Sequence, residues 1–203
     1  MLDTRTISLI RASTLASRAE YKKELAEELR LIKASSSATR AELYEVFLQS
    51  YLFAGFPAAL ESVRALSKIF GAVSQSIEES EDIIVAYRDH LEKGEMLYKK
   101  VYASNAERVR EEMIRLSPEL AAWAMIEGYG KTLSREQLDA KTRELCIVAS
   151  LTQLGWERQL YSHILGARNI GAKPEEIKEA VAIGAKGDAA KLEIAEQLTG
   201  KLV

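Results

Sequence analysis

Apolar residues recur at helical spacing along almost the whole chain, and the breaks between the periodic runs carry helix-stop and helix-start chemistry. The clearest run is Leu138 to Ile177, LDAKTRELCIVASLTQLGWERQLYSHILGARNIGAKPEEI. Ser134, with Gln137 three residues on, is a capping-box pattern that predicts a helix start, and Gly155 is the residue without Cβ that ends that helix. Trp156 to about Ile170 reads as a second helix, stopped at Gly171. Pro174, whose fixed φ suits a first turn, opens a third, with Glu175 and Glu176 against the positive end of its dipole. The pattern sets Glu144 and His163 on successive helices joined by one tight turn, a candidate proton-transfer pair.

Upstream, Asp3 to Ala16 and the piece Ala38 to Leu66 are helical in pattern, and Gly71 to Glu92 is polar and acidic. The run Glu78 to Asp82 reads as a solvated helix start, followed by helices to about Tyr102 and from Asn105 to Leu116. Gly130-Lys131-Thr132 reads as a loop; it is no phosphate loop, because the upstream glycine such a loop needs is Met125 and AAWAMIEG before it is helical. Trp123, Met125 and the Tyr98 to Tyr102 cluster read as core or subunit interface. A weak internal repeat lays Ala38 to Leu66 on Lys173 to Leu198, setting Glu42 on Glu176 and Glu45 on Glu179. Asp3 to Ala16 falls on Ala140 to Gln153, with Arg5 on Arg143. The division expected from this is 1–72 as a degenerate half-repeat, 73–92 as a helical connector and 93–203 as the second unit.

Composition narrows the class. In 203 residues, 47% hydrophobic with three prolines, an all-α protein is expected. A net charge of −2 without a basic stripe argues against nucleic acid as a partner. The single cysteine excludes an intrachain disulfide and suits a reducing compartment. The N-terminus lacks a signal-peptide core and no stretch has the length of a membrane span, so no membrane partner and a cytoplasmic location are expected. The two histidines, His90 and His163, have no second His or Cys at ligand spacing, so neither a metal nor a cofactor is expected.

The strings YGKTLSREQLDAKTREL, Tyr129 to Leu145, and LYSHILGARNIGAKPEEIKEA, Leu160 to Ala180, resemble the carboxymuconolactone decarboxylase-like family, which shares its fold with alkylhydroperoxidase D. The resemblance runs from about Lys93 to the C-terminus. It implies an alkylhydroperoxidase D-like helical fold. Family members form dimers whose subunits share helices at the site, so the two halves of this chain are expected to pack as an internal pseudo-dimer, with Tyr51 to Pro57 as a wall of the pocket around His163. His163 falls at the family's histidine, and Glu144 stands nineteen residues before it, as in the alkylhydroperoxidase D pattern. The two redox cysteines of that pattern are Trp156 and Gln159 here, so the peroxidase route lacks both sulfurs. Cys146, seventeen residues before His163, reads as a buried small hydrophobe. Decarboxylase-like sequences often carry Glu four residues before the histidine, where this chain has Gln159.

The resemblance implies His163 as general acid or base, Glu144 as the group that orients it, and Arg143, Arg135 and Tyr129 as anchors for acid groups, with Trp156, Gln159 and Tyr51 beside them. Bland readings stand against this. A histidine among Leu160, Ile164, Ala167 and Ile170 also fits a hydrogen-bonded core residue, and Glu144 also fits an ion pair with Arg143 or Lys141. Three functions are therefore open: cofactor-independent proton transfer or decarboxylation on a small acid or lactone, a redox protein using Cys146 or partner thiols, and a non-catalytic helical oligomer or small-molecule binder. A homo-oligomer is expected in each, because Val46 to Phe53 is apolar nearly all round.

Overall fold

A computed structural model describes residues 1–71 and 83–200. In chain order the helices are α1 (Thr4–Ala16), α2 (Lys22–Ser35), α3 (Arg40–Gln49), the single turn α4 (Tyr51–Ala54), α5 (Phe56–Phe70), α6 (Ile83–Tyr102), α7 (Ala106–Leu116), α8 (Pro118–Trp123), α9 (Ala140–Leu154), α10 (Glu157–Asn169), α11 (Pro174–Ala185) and α12 (Ala189–Gly200). A π-helical stretch, Ala124–Leu133, follows α8. The protein is all-α, with no strand among the described residues. No helix of the described residues is long and apolar enough to cross a membrane.

Two compact units are formed, one from Met1–Ala72 with Gln137–Val203 and the other from Val73–Glu136. This grouping joins the two ends of the chain, whereas the division read from sequence runs in chain order. The acidic run 78–82 lies outside the described residues.

In the first unit α9 is the central element. Every residue from Thr142 to Gln153 is buried, the polar Thr142, Arg143, Glu144, Ser150, Thr152 and Gln153 included, because the helix is packed against other helices on all sides. It is covered by α1, α10 and α11, with α4 and α12 also in contact. The α1–α9 crossing is made by small side chains: Ser13 and Ser150 hydroxyls lie 2.8 Å apart, and the Ser13 hydroxyl donates to the Cys146 carbonyl at 3.0 Å. On the other side α11 comes so close that a Cβ at Gly184 would collide with the Ala149 carbonyl. Leu9, Leu43, Phe47, Leu66, Leu145 and Ile164 fill the space between the helices without exposure.

Local chemistry sets the ends. Asp3 caps α1 by accepting from the Thr6 amide at 2.7 Å, and Thr39 with Glu42 forms a capping box on α3. The start expected at Ser134 is corrected: α9 begins after Asp139, whose carboxylate accepts from the Thr142 amide and hydroxyl at 2.9 and 2.8 Å. Ser134 instead donates its hydroxyl back to the Gly130 carbonyl. The C-terminal stop at Gly155 is in place, with φ 77°. The apolar segment from Val46 to Phe53 is largely covered by its own chain, Val46 and Phe47 being fully buried, so it no longer argues for an oligomer.

In the second unit the loop expected at Gly130-Lys131-Thr132 is corrected too, because these residues continue the π-helical stretch. The Thr132 hydroxyl donates to the Glu127 carbonyl five residues back at 2.8 Å, and glycine at 130 lets the His90 carbonyl approach where a Cβ would collide. Tyr98, Tyr102 and Tyr129 cluster there, whereas Trp123 is 59% exposed.

Candidate functional site

Gly155 reverses the chain between α9 and α10. Its amide and that of Trp156 both return to the Leu151 carbonyl, at 2.9 and 3.3 Å, the left-handed stop that closes a helix tightly. The hairpin folds α10 back along α9, and His163 Nδ1 comes to 2.8 Å from Glu144 Oε2. Both side chains are almost wholly removed from water, 8% and 4% exposed. If Glu144 is ionised it has no hydrogen to give, and Nδ1 is then the donor of this contact. Nε2 makes no hydrogen bond among the described residues. The edge contact of Phe53 fixes the ring from a third helical segment, α4, with ring centroids 5.3 Å apart and planes at 87°. Gly166 and Ala167, a turn further along α10, are buried and small.

The ion-pair alternatives for Glu144 are taken up elsewhere. Arg143 points the other way, its Nη2 2.7 Å from Glu45 Oε2, its Nη1 3.3 Å from Gln49 Oε1 and its Nε 3.1 Å from the Leu138 carbonyl. Lys141 lies 3.1 Å from Glu176. Arg143 is thus committed to a buried pair with Glu45 in which both side chains are 2% exposed.

The remaining candidates are spread out. Tyr51 is half-buried and tilts against Phe56, centroids 5.1 Å apart. Trp156 is 58% exposed and Gln159 is exposed. Tyr129 and Arg135 belong to the other unit, where the Tyr129 hydroxyl donates to that of Tyr102 at 3.0 Å. Cys146 is fully buried, and burial pushes its thiol up to about 12. Among the described residues no three His, Cys, Asp or Glu side chains are grouped so as to hold a metal ion.

The stretch Tyr51 to Pro57 is expected as a wall around His163, and Phe53 is the residue of that stretch whose ring meets the imidazole; sequence reading does not single out Glu45 and Gln49 as the partners of Arg143. A signal for the second existed: Glu45 and Gln49 stand four apart on one face of a helix next to the apolar Val46 and Phe47.

Comparison with known proteins agrees with the resemblance. Residues 118–193 match the carboxymuconolactone decarboxylase family, a shorter span than the stretch from Lys93 onward. The chain is also similar to "Peroxisomal protein 2" of Schizosaccharomyces pombe, 29% identical over 141 residues that cover 68% of this chain. The matched stretch covers 65% of that protein's length.

Proposed function

We propose, starting from the match of residues 118–193 to the carboxymuconolactone decarboxylase family, that this chain is a decarboxylase-like enzyme working without a cofactor by proton transfer at His163 on a small acid or lactone. The observation that supports the reading is the buried 2.8 Å contact between Glu144 and His163. Glu144 holds the ring in one tautomer and offsets its charge when Nε2 is protonated, which leaves Nε2 to exchange protons with a substrate. In a decarboxylation the bond from carbon to carboxylate breaks, carbon dioxide leaves, and the electron pair enters the conjugated enolate. The proton on Nε2 then closes on the enolate carbon, and the neutral ring takes a new proton from water. The redox alternative has no such support, since a fully buried thiol held protonated is a poor nucleophile.

The same reading treats α1 to α5 and α9 to α12 as two decayed copies packed as an internal pseudo-dimer. Paired features support it. Asp3 and Asp139 cap α1 and α9 through Thr6 and Thr142, and Arg5 pairs with Glu42 as Lys141 does with Glu176. Left-handed glycines, Gly55 with φ 86° and Gly187 with φ 80°, precede α5 and α12. These pairings set Arg5 against Lys141, two residues from the register read in the sequence. A homo-oligomer also belongs to the reading, with the exposed Phe56 and Leu60 of α5 as candidate contacts. So does a cytoplasmic location; the name of the S. pombe relative points instead to the peroxisome, and imaging of the tagged chain decides.

The test is release of carbon dioxide from carboxymuconolactone by the wild type and by His163→Asn. Turnover that falls by about 10²- to 10⁴-fold in the variant is expected. Equal turnover in both, or saturable binding without turnover in the wild type, would overturn the assignment, the second in favour of a binding protein.

A further inference from the structure

A cavity of about 460 Å³ lies between α2 and α5 in the first unit, closed at one end by the C-terminal turn of α1 and by α4. It exists because the lining positions are small: Ala26 on α2 and Ala58, Ser62 and Ala65 on α5 carry side chains too short to fill the space between the two helices. Its volume is within the range of small-molecule sites, roughly 300–1,000 Å³. Neither His163 nor Glu144 lines it.

The wall is apolar, with Leu15, Leu25, Pro57 and Ile69 among its residues, but the rim is strongly cationic. Arg18, Lys22, Arg30, Arg64 and Lys68 surround it and Glu61 is its one carboxylate. The charges are not evenly compensated. At one end Lys22 and Arg64 reach Glu61 at 3.3 and 3.5 Å, and Arg18 reaches Glu20 at 2.9 Å. At the other end Arg30 and Lys68 have no carboxylate partner among the described residues, and an adjoining cavity brings Lys33 beside them. Lys22 and Arg30 are eight residues apart on α2, so the apolar floor between the two ends runs on the order of 12 Å at 1.5 Å per residue.

We propose that this cavity binds an amphipathic organic anion, a carboxylate with a medium-length apolar body, its head between Arg30 and Lys68 and its body over Leu25, Ala58 and Ala65. The uncompensated pair supplies the charge complement and the small-residue gap supplies the space; an uncharged apolar molecule uses only the second and a small anion only the first.

The probe is octanoate, titrated calorimetrically into the full chain and compared with 1-octanol and acetate. One saturable octanoate site is expected, with octanol and acetate weaker by about tenfold or more. Arg30→Glu with Lys68→Glu changes only exposed side chains and is expected to weaken octanoate by about tenfold or more, with an unchanged melting temperature. Ala65→Trp, which fills the gap, is expected to abolish binding. Octanol binding as well as octanoate, or octanoate affinity untouched by the double charge reversal, would overturn the proposal. His163→Asn is expected to bind octanoate as the wild type does, so loss of turnover there and loss of binding at the cavity are separate results.

Discussion

Glu144 Oε2 and His163 Nδ1, nineteen residues apart in sequence, meet at 2.8 Å across a helical hairpin whose turn is set by Gly155. Glu144→Gln keeps the shape of that contact and removes its direction, because an amide can donate as well as accept and no longer forces the hydrogen onto Nδ1. Turnover in Glu144→Gln should fall by about 10²-fold or more with KM little changed. Steady-state kinetics on the same substrate checks this, and a kcat equal to wild type would show that Glu144 does not position the ring.

Arg143 and Glu45 form a buried pair that joins α9 to α3. Arg143→Met takes the guanidinium away from a carboxylate that stays buried, so it should cost about 3–5 kcal/mol in chemical denaturation. Arg143→Met with Glu45→Leu should recover most of that loss, since an apolar pair of similar volume has no charge to desolvate.

Four carboxylates at helix starts, Asp3, Glu42, Asp139 and Glu176, lie below their ordinary values. For Asp139 burial pushes upward, but the amide and hydroxyl of Thr142 and the charge of Arg5 outweigh it. A carboxyl lowered by folding contributes stability that is complete above its unfolded value, near 3.8 for Asp, and is lost as the pH falls through the folded value. Asp139→Ala should therefore melt below the wild type near neutral pH, by about 1 kcal/mol. The gap should close below pH 3.8. A gap that is constant with pH would mean that the carboxylate's charge is not what caps α9.

Cys146 should not react with a thiol reagent in the folded protein and should react once denaturant unfolds it. Fast labelling of the native chain would reopen the redox reading.

The α9–α10–α11 segment was legible because its signals are local. Gly155, Gly171 and Pro174 act through their own backbone preferences, and the short turn then leaves α10 no choice but to run back along α9, which brings Glu144 and His163 together. Where local signals compete, sequence reading goes astray. Ser134 with Gln137 has the form of a capping box, but Asp139 directly before the apolar run is the better cap, and the π-helical stretch Ala124–Leu133 has a period that a search for 3.6 does not see. What depends on gaps between distant helices left little trace in the sequence: the joining of both chain ends into one unit, the pairing of Arg143 with Glu45, and the cavity between α2 and α5.

The most direct test of the central claim is the ring nitrogen spectrum of His163 across the pH range in which the fold persists, in the wild type and in Glu144→Gln. Nδ1 should carry its hydrogen throughout in the wild type, with Nε2 the nitrogen that gains and loses a proton, and this preference should be lost in Glu144→Gln. Hydrogen on Nε2 rather than Nδ1 in the neutral ring, or identical spectra for the two proteins, would contradict a proton-transfer site built from this pair.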